Sequence, residues 1–299
     1  MQDRCTSIPQ PYSADIVRIG VFDSGVGGLT VLQEIYRQLP NESVLYFGDT
    51  ARVPYGNRSA AEILQFTRQT LDWLVSQGVK MAIVACNTSS ALALETVRAE
   101  YDLPILGVIL PGARSAALHG QRIGVIATPA TVNSNAYLHA IQEANPSAQV
   151  WQVACPEFVP LIETNRIDDP QTLAIAKEYL QPLLDRSIDT LVYGCTHYPH
   201  LEPVLRQFVP MSVQFINPAV AVVAAAAREL NVLGIQSHHS AIPTQFVVSG
   251  NPAQFAQVAT QWLPAAPSVV QISLPASTVT VIEPIVISSA IAAEPIDIG

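Results

Sequence analysis

The chain has 299 residues, enough for one large domain or two of ordinary size, and 49% of them are apolar, so a substantial core can be buried. Charged residues make up 13% and the net charge is -9, which argues against a nucleic-acid polyanion as the main partner but leaves room for a small anionic substrate at a local site. No apolar core of an export signal occurs in residues 1–15, and the longest apolar run, 219–227, is far too short for a membrane span. Four cysteines without a CxxC pair fit a cytoplasmic protein with reduced thiols, no disulfide framework and no structural zinc.

In chain order, strands and helices alternate. Residues 16–22 form a β-rich run that enters the turn Asp23-Ser24-Gly25-Val26-Gly27-Gly28, followed by a helical pattern over 29–39. Residues 44–47 predict a second strand, 60–76 a helix, 81–85 an apolar strand of buried type, and 90–100 a further helix. Such alternation implies βαβ units and a parallel sheet. The glycine turn is not G-x-G-x-x-G, because Thr30 takes the last position, and it has no Walker lysine. Asp23 and Ser24 either cap this turn or enter a cleft beyond the strand. The residues at 46–50 and 54–56 form a second polar cluster, which also reads as an ordinary loop of turn formers.

The pattern then starts over. Arg18-Ile19-Gly20-Val21 recurs as Arg122-Ile123-Gly124-Val125, and the strand running into Cys86 recurs at 190–194, running into Cys195. The offsets, 122 − 18 = 104 and 195 − 86 = 109, nearly agree. Two α/β halves of similar topology follow. Ligands of open α/β sheets bind beyond the carboxyl ends of the strands. There the first N–H groups of the next helix are free to stabilise an anion. If the halves face each other, one thiol approaches a ligand from each side. Inversion at a carbon requires that arrangement: one thiolate removes a proton while the other thiol delivers one.

A cysteine at a strand end is usually a small buried hydrophobe, and either one alone would be read that way. Their matched positions and the polar neighbours Asn87, Thr88, Thr196 and His197 favour chemistry. Cys5 and Cys155 lack this setting, and Cys155 reads as structural. A phosphate-binding Cys-x5-Arg loop would need arginine at 92 or 201, where leucine stands. A metal site from Cys195, His197 and His200 has no further ligand nearby in sequence. Pyridoxal phosphate needs a Schiff-base lysine, and the two lysines, Lys80 and Lys177, open a strand and sit in a helical pattern. No cofactor and no metal are therefore expected.

Four motifs in order carry a family resemblance: Asp23-Ser24-Gly25-Val26-Gly27-Gly28-Leu29; Gly48-Asp49 with Pro54-Tyr55-Gly56; Ala85-Cys86-Asn87-Thr88; and Gly194-Cys195-Thr196-His197-Tyr198-Pro199. With them the chain resembles the bacterial glutamate racemases of the aspartate/glutamate racemase superfamily, from about residue 18 to about residue 262, Ser249-Gly250-Asn251-Pro252 included. The resemblance implies interconversion of L- and D-glutamate without cofactor or metal, D-glutamate entering peptidoglycan. It makes Cys86 and Cys195 the acid–base pair, with Asp23 and His197 assisting the thiols and Glu163 matching a further carboxylate. Ser24, Pro54, Tyr55, Gly56, Asn87, Thr88 and Thr196 would hold the substrate, together with Asp23, Cys86, Cys195 and His197. Thr128 falls where the family has a Gly-Thr pair, with Ala127 in place of the glycine, and Ser89 stands where the family has alanine.

The expected fold is α/β, two similar domains with mostly parallel sheets and the active site in the cleft between them. Residues 18–110 with 213–263 form the first domain and 111–212 the second; 1–17 is an extension and 264–299 a tail. Asn217-Pro218 predicts a helix start, with Asn as N-cap and Pro in the first turn. The tail is expected to be dispensable, although 269–272 and 279–286 have strand-like composition. A homo-oligomer, a dimer, is expected, with no nucleic-acid or membrane partner. Two alternatives remain: a sister racemase acting on aspartate or another short acid, and a binding protein that kept the cleft. The presence of both cysteines argues against the second.

Overall fold

The computed structural model describes residues 17–274. Its strands are β1 (Ile19–Asp23), β2 (Val44–Gly48), β3 (Met81–Val84), β4 (Ile105–Gly107), β5 (Arg122–Ala127), β6 (Gln149–Ala154), β7 (Thr190–Gly194), β8 (Gln214–Ile216), β9 (Gln245–Val248) and β10 (Val269–Gln271). They build two sheets of order β10-β9-β2-β1-β3-β4 and β6-β5-β7-β8, with every paired ladder parallel. The fold is α/β, with helices covering the sheets. This is why β1, β2, β3 and β7 are buried along their whole length and are mostly apolar rather than alternating.

The order β2-β1-β3-β4 is repeated by β6-β5-β7-β8, so the recurring Ile-Gly-Val tripeptides lie on matched central strands. The glycines do the same work in each. A Cβ on Gly20 would sit 3.1 Å from Leu74 Cδ2 and 3.2 Å from Val79 Cγ1; on Gly124 it would sit 2.9 Å from Ile188 Cδ1 and 3.1 Å from Leu183 Cδ1. In each half the central strand offers a side-chain-free point to its covering helix, Ala60–Ser76 or Pro170–Leu184. Helix starts follow local chemistry. Ser59 and Glu62 form a capping box, while Asp169, Asn217 and Asn251 are N-caps each followed by proline.

Several expectations need adjustment. The helix expected over 90–100 begins earlier, at Asn87, and is broken into Asn87–Leu92, Leu94–Val97 and a 3₁₀ turn, Arg98–Glu100. Its first turn is polar and faces the cleft, so the apolar period that marks helices was silent there. The Ser90 hydroxyl also bonds back to Val84 O at 3.0 Å, competing with the helical ladder. β8 pairs with β7, so the second sheet extends past the expected boundary at 212. The segment after 263 is not all tail. β10 extends the first sheet beside β9, and Ile272 and Leu274 pack on a buried apolar cluster. The strand-like stretch 279–286, the N-terminal extension through residue 15 and Cys5 lie outside the described residues.

Helix Pro218–Leu233 packs on both Leu29–Gln38 and Ile109–His119, and one continuous core runs through both halves. Among the described residues, no helix is long and apolar enough to cross a membrane.

Candidate active site

The carboxyl ends of six strands converge on one cleft. Ser24 follows β1, residues 53–57 follow β2, Cys86, Asn87 and Thr88 follow β3, Thr128 and Pro129 follow β5, Pro156 and Val159 follow β6, and Cys195, Thr196 and His197 follow β7. Parallel strands in one sheet all end on the same side, and the two sheets turn these ends toward each other.

Cys86 is buried at the N-cap of helix Asn87–Leu92, and its thiol donates to Ser24 Oγ at 3.8 Å. Burial pushes the thiol up to about 12; the charge of Asp23 adds to this, while hydrogen bonds from Ser89 and Ser24 oppose it. Cys195, also buried, lies 3.7 Å from His197 Nδ1, and His197 Nε2 lies 2.8 Å from Glu163 Oε1. Burial disfavours the imidazolium, but the bonds to Cys195 and Glu163 outweigh it and hold His197 well above its ordinary range. Asp23 is fully buried, which raises its carboxyl. The charge of His197, the N–H groups of Gly25 and Gly28 and the Thr196 hydroxyl pull it back, the Gly25 and Thr196 bonds at 2.9 and 3.1 Å. The two thiols therefore differ: one faces a buried carboxylate, the other a histidine–glutamate pair.

The glycine turn is explained by the opposite half. A Cβ on Gly27 would lie 2.3 Å from His197 Nδ1 and 2.4 Å from Thr196 Oγ1, and one on Gly25 would lie 2.8 Å from Glu163 Oε1. The turn does not cradle phosphate. It lets the β7 loop approach Asp23, and Thr30 Oγ1 completes the contact by donating to Thr196 O at 2.9 Å.

Asp49, also fully buried, accepts from the hydroxyls of Tyr55 and of Ser249, the latter at 2.7 Å, and pairs with Arg52 Nε at 2.6 Å. This fixes the turn Tyr55–Asn57, so Tyr55 borders the cleft with its hydroxyl committed elsewhere. Across the halves, Thr88 Oγ1 lies 3.0 Å from Thr128 Oγ1, which within its own half lies 3.0 Å from Thr131 Oγ1.

The structure thus brings together Ser24, Pro54, Tyr55, Gly56, Cys86, Asn87, Thr88, Thr128, Cys195, Thr196 and His197 on the cleft wall. Asp23 lies beneath it and Glu163 behind His197. Val53, Asn57, Pro129, Pro156 and Val159 also line it, and sequence reading missed them. Pro129 and Pro156 could have been found as residues just past the ends of β5 and β6, whereas nothing local marks Val159. No lysine or arginine lines the cleft among the described residues, so a carboxylate there meets hydroxyls, amides and the His197 imidazole. His200 stacks edge-on against Trp262, ring centroids 3.7 Å apart. Among the described residues, no group of three or more His, Cys, Asp or Glu is placed to hold a metal ion.

Known proteins share this architecture. A glutamate racemase of Synechocystis sp. is 64% identical over 258 residues, covering 86% of this chain and 92% of its own. The solved glutamate racemase of Bacillus anthracis superposes with a TM-score of 0.84 at 37% identity, over 87% of this chain and 99% of its own. That of Francisella tularensis, solved with D-glutamate, gives 0.82 at 36%, over 88% and 100%. Residues 19–226 match the Asp/Glu/hydantoin racemase family as a whole. Likeness this extensive in both sequence and fold reflects common descent, and the chain belongs to the Asp/Glu/hydantoin racemase family.

Proposed function

We propose that this racemase interconverts L- and D-glutamate by a two-thiol mechanism without a cofactor, supplying D-glutamate for peptidoglycan in the cytoplasm, and that it works as a homodimer. The observation that carries the mechanism is that Cys86 and Cys195, at equivalent strand ends of the two repeated halves, border one cleft. In one direction the Cys86 thiolate takes the Cα proton while the Cys195 thiol delivers one to the opposite face; in the other the roles exchange. His197, bonded to Cys195 and backed by Glu163, accepts or returns the proton of that thiol. Asp23 acts on Cys86 through its charge, which favours the protonated thiol, and its hydrogen bond from Thr196 ties the two sides together. Ser24, Asn87, Thr88 and Thr128 offer neutral side-chain donors to the substrate carboxylates beside Thr196, whose hydroxyl is given to Asp23, and Pro54, Tyr55 and Gly56 close the wall. The 64% identity to a glutamate racemase supports glutamate over aspartate.

The test is to incubate the protein with L-glutamate and follow optical rotation. The signal should decay to zero, because enantiomers have equal free energy and the equilibrium constant is one. A stable signal with L-glutamate alongside decay with L-aspartate would reassign the substrate.

A further inference from the structure

Asn87 borders the cleft beside Cys86, and its side-chain oxygen is already used. Oδ1 accepts the hydroxyl proton of Tyr137 at 2.7 Å. Tyr137 belongs to the other half, near the start of helix Ala136–Ala144, and it is fully buried and does not line the cleft. The backbone aims it there. Asn135, in the left-handed region at φ 55°, separates this helix from Pro129–Asn133 and accepts from Gln152 Nε2 at 3.0 Å. Asparagine tolerates that conformation better than other residues with a side chain.

A primary amide has an acceptor end and a donor end, and its terminal torsion is broad and two-fold, so an unrestrained Asn can present either end. The Tyr137 hydroxyl removes that freedom. Its proton needs an acceptor, and the bond in place is to Asn87 Oδ1; flipping the amide would leave the buried O–H without one. Burial also raises the phenol, so it remains a donor at working pH. Asn87 Nδ2, with no protein partner among the described contacts, is then left toward the cleft, where no lysine or arginine is available for a carboxylate.

We propose that Tyr137 is a positioning residue for substrate: its hydroxyl holds the Asn87 amide with the NH₂ group toward the cleft, so that carboxylate recognition by one half depends on a side chain of the other. The proposal rests on the glutamate reading above. It uses Asn87, which sequence had pointed to, through a partner that sequence had not.

Steady-state racemisation of Tyr137→Phe, Asn87→Ala, the double variant and Asn87→Asp tests it. Tyr137→Phe keeps the buried ring and should raise KM for L-glutamate about tenfold with kcat within about twofold, the signature of lost ground-state binding. In the Asn87→Ala background, Tyr137→Phe should change nothing further. Asn87→Asp keeps an acceptor for Tyr137 but sets an anion toward the substrate, and should raise KM more than Tyr137→Phe does. An unchanged KM for folded Tyr137→Phe, or losses that multiply in the double variant, would overturn the proposal. If Tyr137→Phe does not fold, Asn87→Asp decides, because a wild-type KM for that variant has the same consequence. Wild-type activity in the same assay separates the two readings: without it the glutamate reading fails, and with it an unaffected Tyr137→Phe defeats only the amide-positioning role.

Discussion

At the scale of single residues, the two thiols are unequal. Cys86, pushed up to about 12 chiefly by burial, is a thiol in the resting enzyme at neutral pH. A raised acid pKa means the thiolate fraction grows about tenfold per pH unit below that value. The kcat/KM of the direction that begins with deprotonated Cys86 should therefore climb with pH from 7 to 9 without levelling, since kcat/KM reports the free enzyme. A plateau below pH 8 for both enantiomers would contradict this. Cys86→Ala and Cys195→Ala should each abolish racemisation while circular dichroism shows an intact fold, because the proposed mechanism gives each face of the substrate carbon one proton donor. Cys155 is buried as well, but its sulfur donates to Val153 O at 3.6 Å and it does not border the cleft. Cys155→Ala should keep activity and cost about 1 kcal/mol of stability for the vacated volume. An inactive Cys155→Ala beside an active Cys86→Ala would reverse the assignment.

At the scale of elements, the glycine turn after β1 is where the two halves meet. Gly27→Ala adds one methyl group where His197 and Thr196 already press. The neighbour is a buried imidazole held on both sides by Cys195 and Glu163, so it cannot simply swing away. We expect Gly27→Ala to lower stability by about 1–3 kcal/mol in thermal or urea unfolding. Its activity should fall far more than that loss explains, because the Cys195–His197–Glu163 chain is displaced. Full activity in this variant would mean that the turn has slack that the contact distances do not show. The turn resembles nucleotide-binding loops in composition, yet its glycines serve the approach of protein to protein.

At the scale of the whole molecule, the duplicated topology sets one thiol from each half on a shared cleft, and the proposed mechanism uses them on opposite faces of the substrate. This gives an isotopic expectation. During early conversion of L-glutamate in D₂O, the D-product should carry deuterium at Cα while remaining L-substrate carries little. The proton removed on one face stays on the first sulfur, and the second sulfur, already exchanged with solvent, delivers deuterium. Product with mostly unlabelled Cα, read by mass spectrometry or proton NMR, would mean that one base serves both faces.

Much of this was legible in the sequence because the signals are local. The strand at 190–194 and the helix at 60–76 fall where their composition and caps put them, since apolar runs and capping residues act within a few positions. Cys86 and Cys195 stood out because the repeat set them at matching strand ends. What the tertiary structure decided is everything that depends on residues distant in sequence. That Tyr137 reaches Asn87, that Glu163 backs His197, and that Ser249 reaches Asp49 are contacts over tens to hundreds of positions. Such pairings leave no periodic or compositional trace. β10 was ambiguous for the same reason: three residues of strand-like composition become a strand only when an edge such as that of β9 is there to receive them.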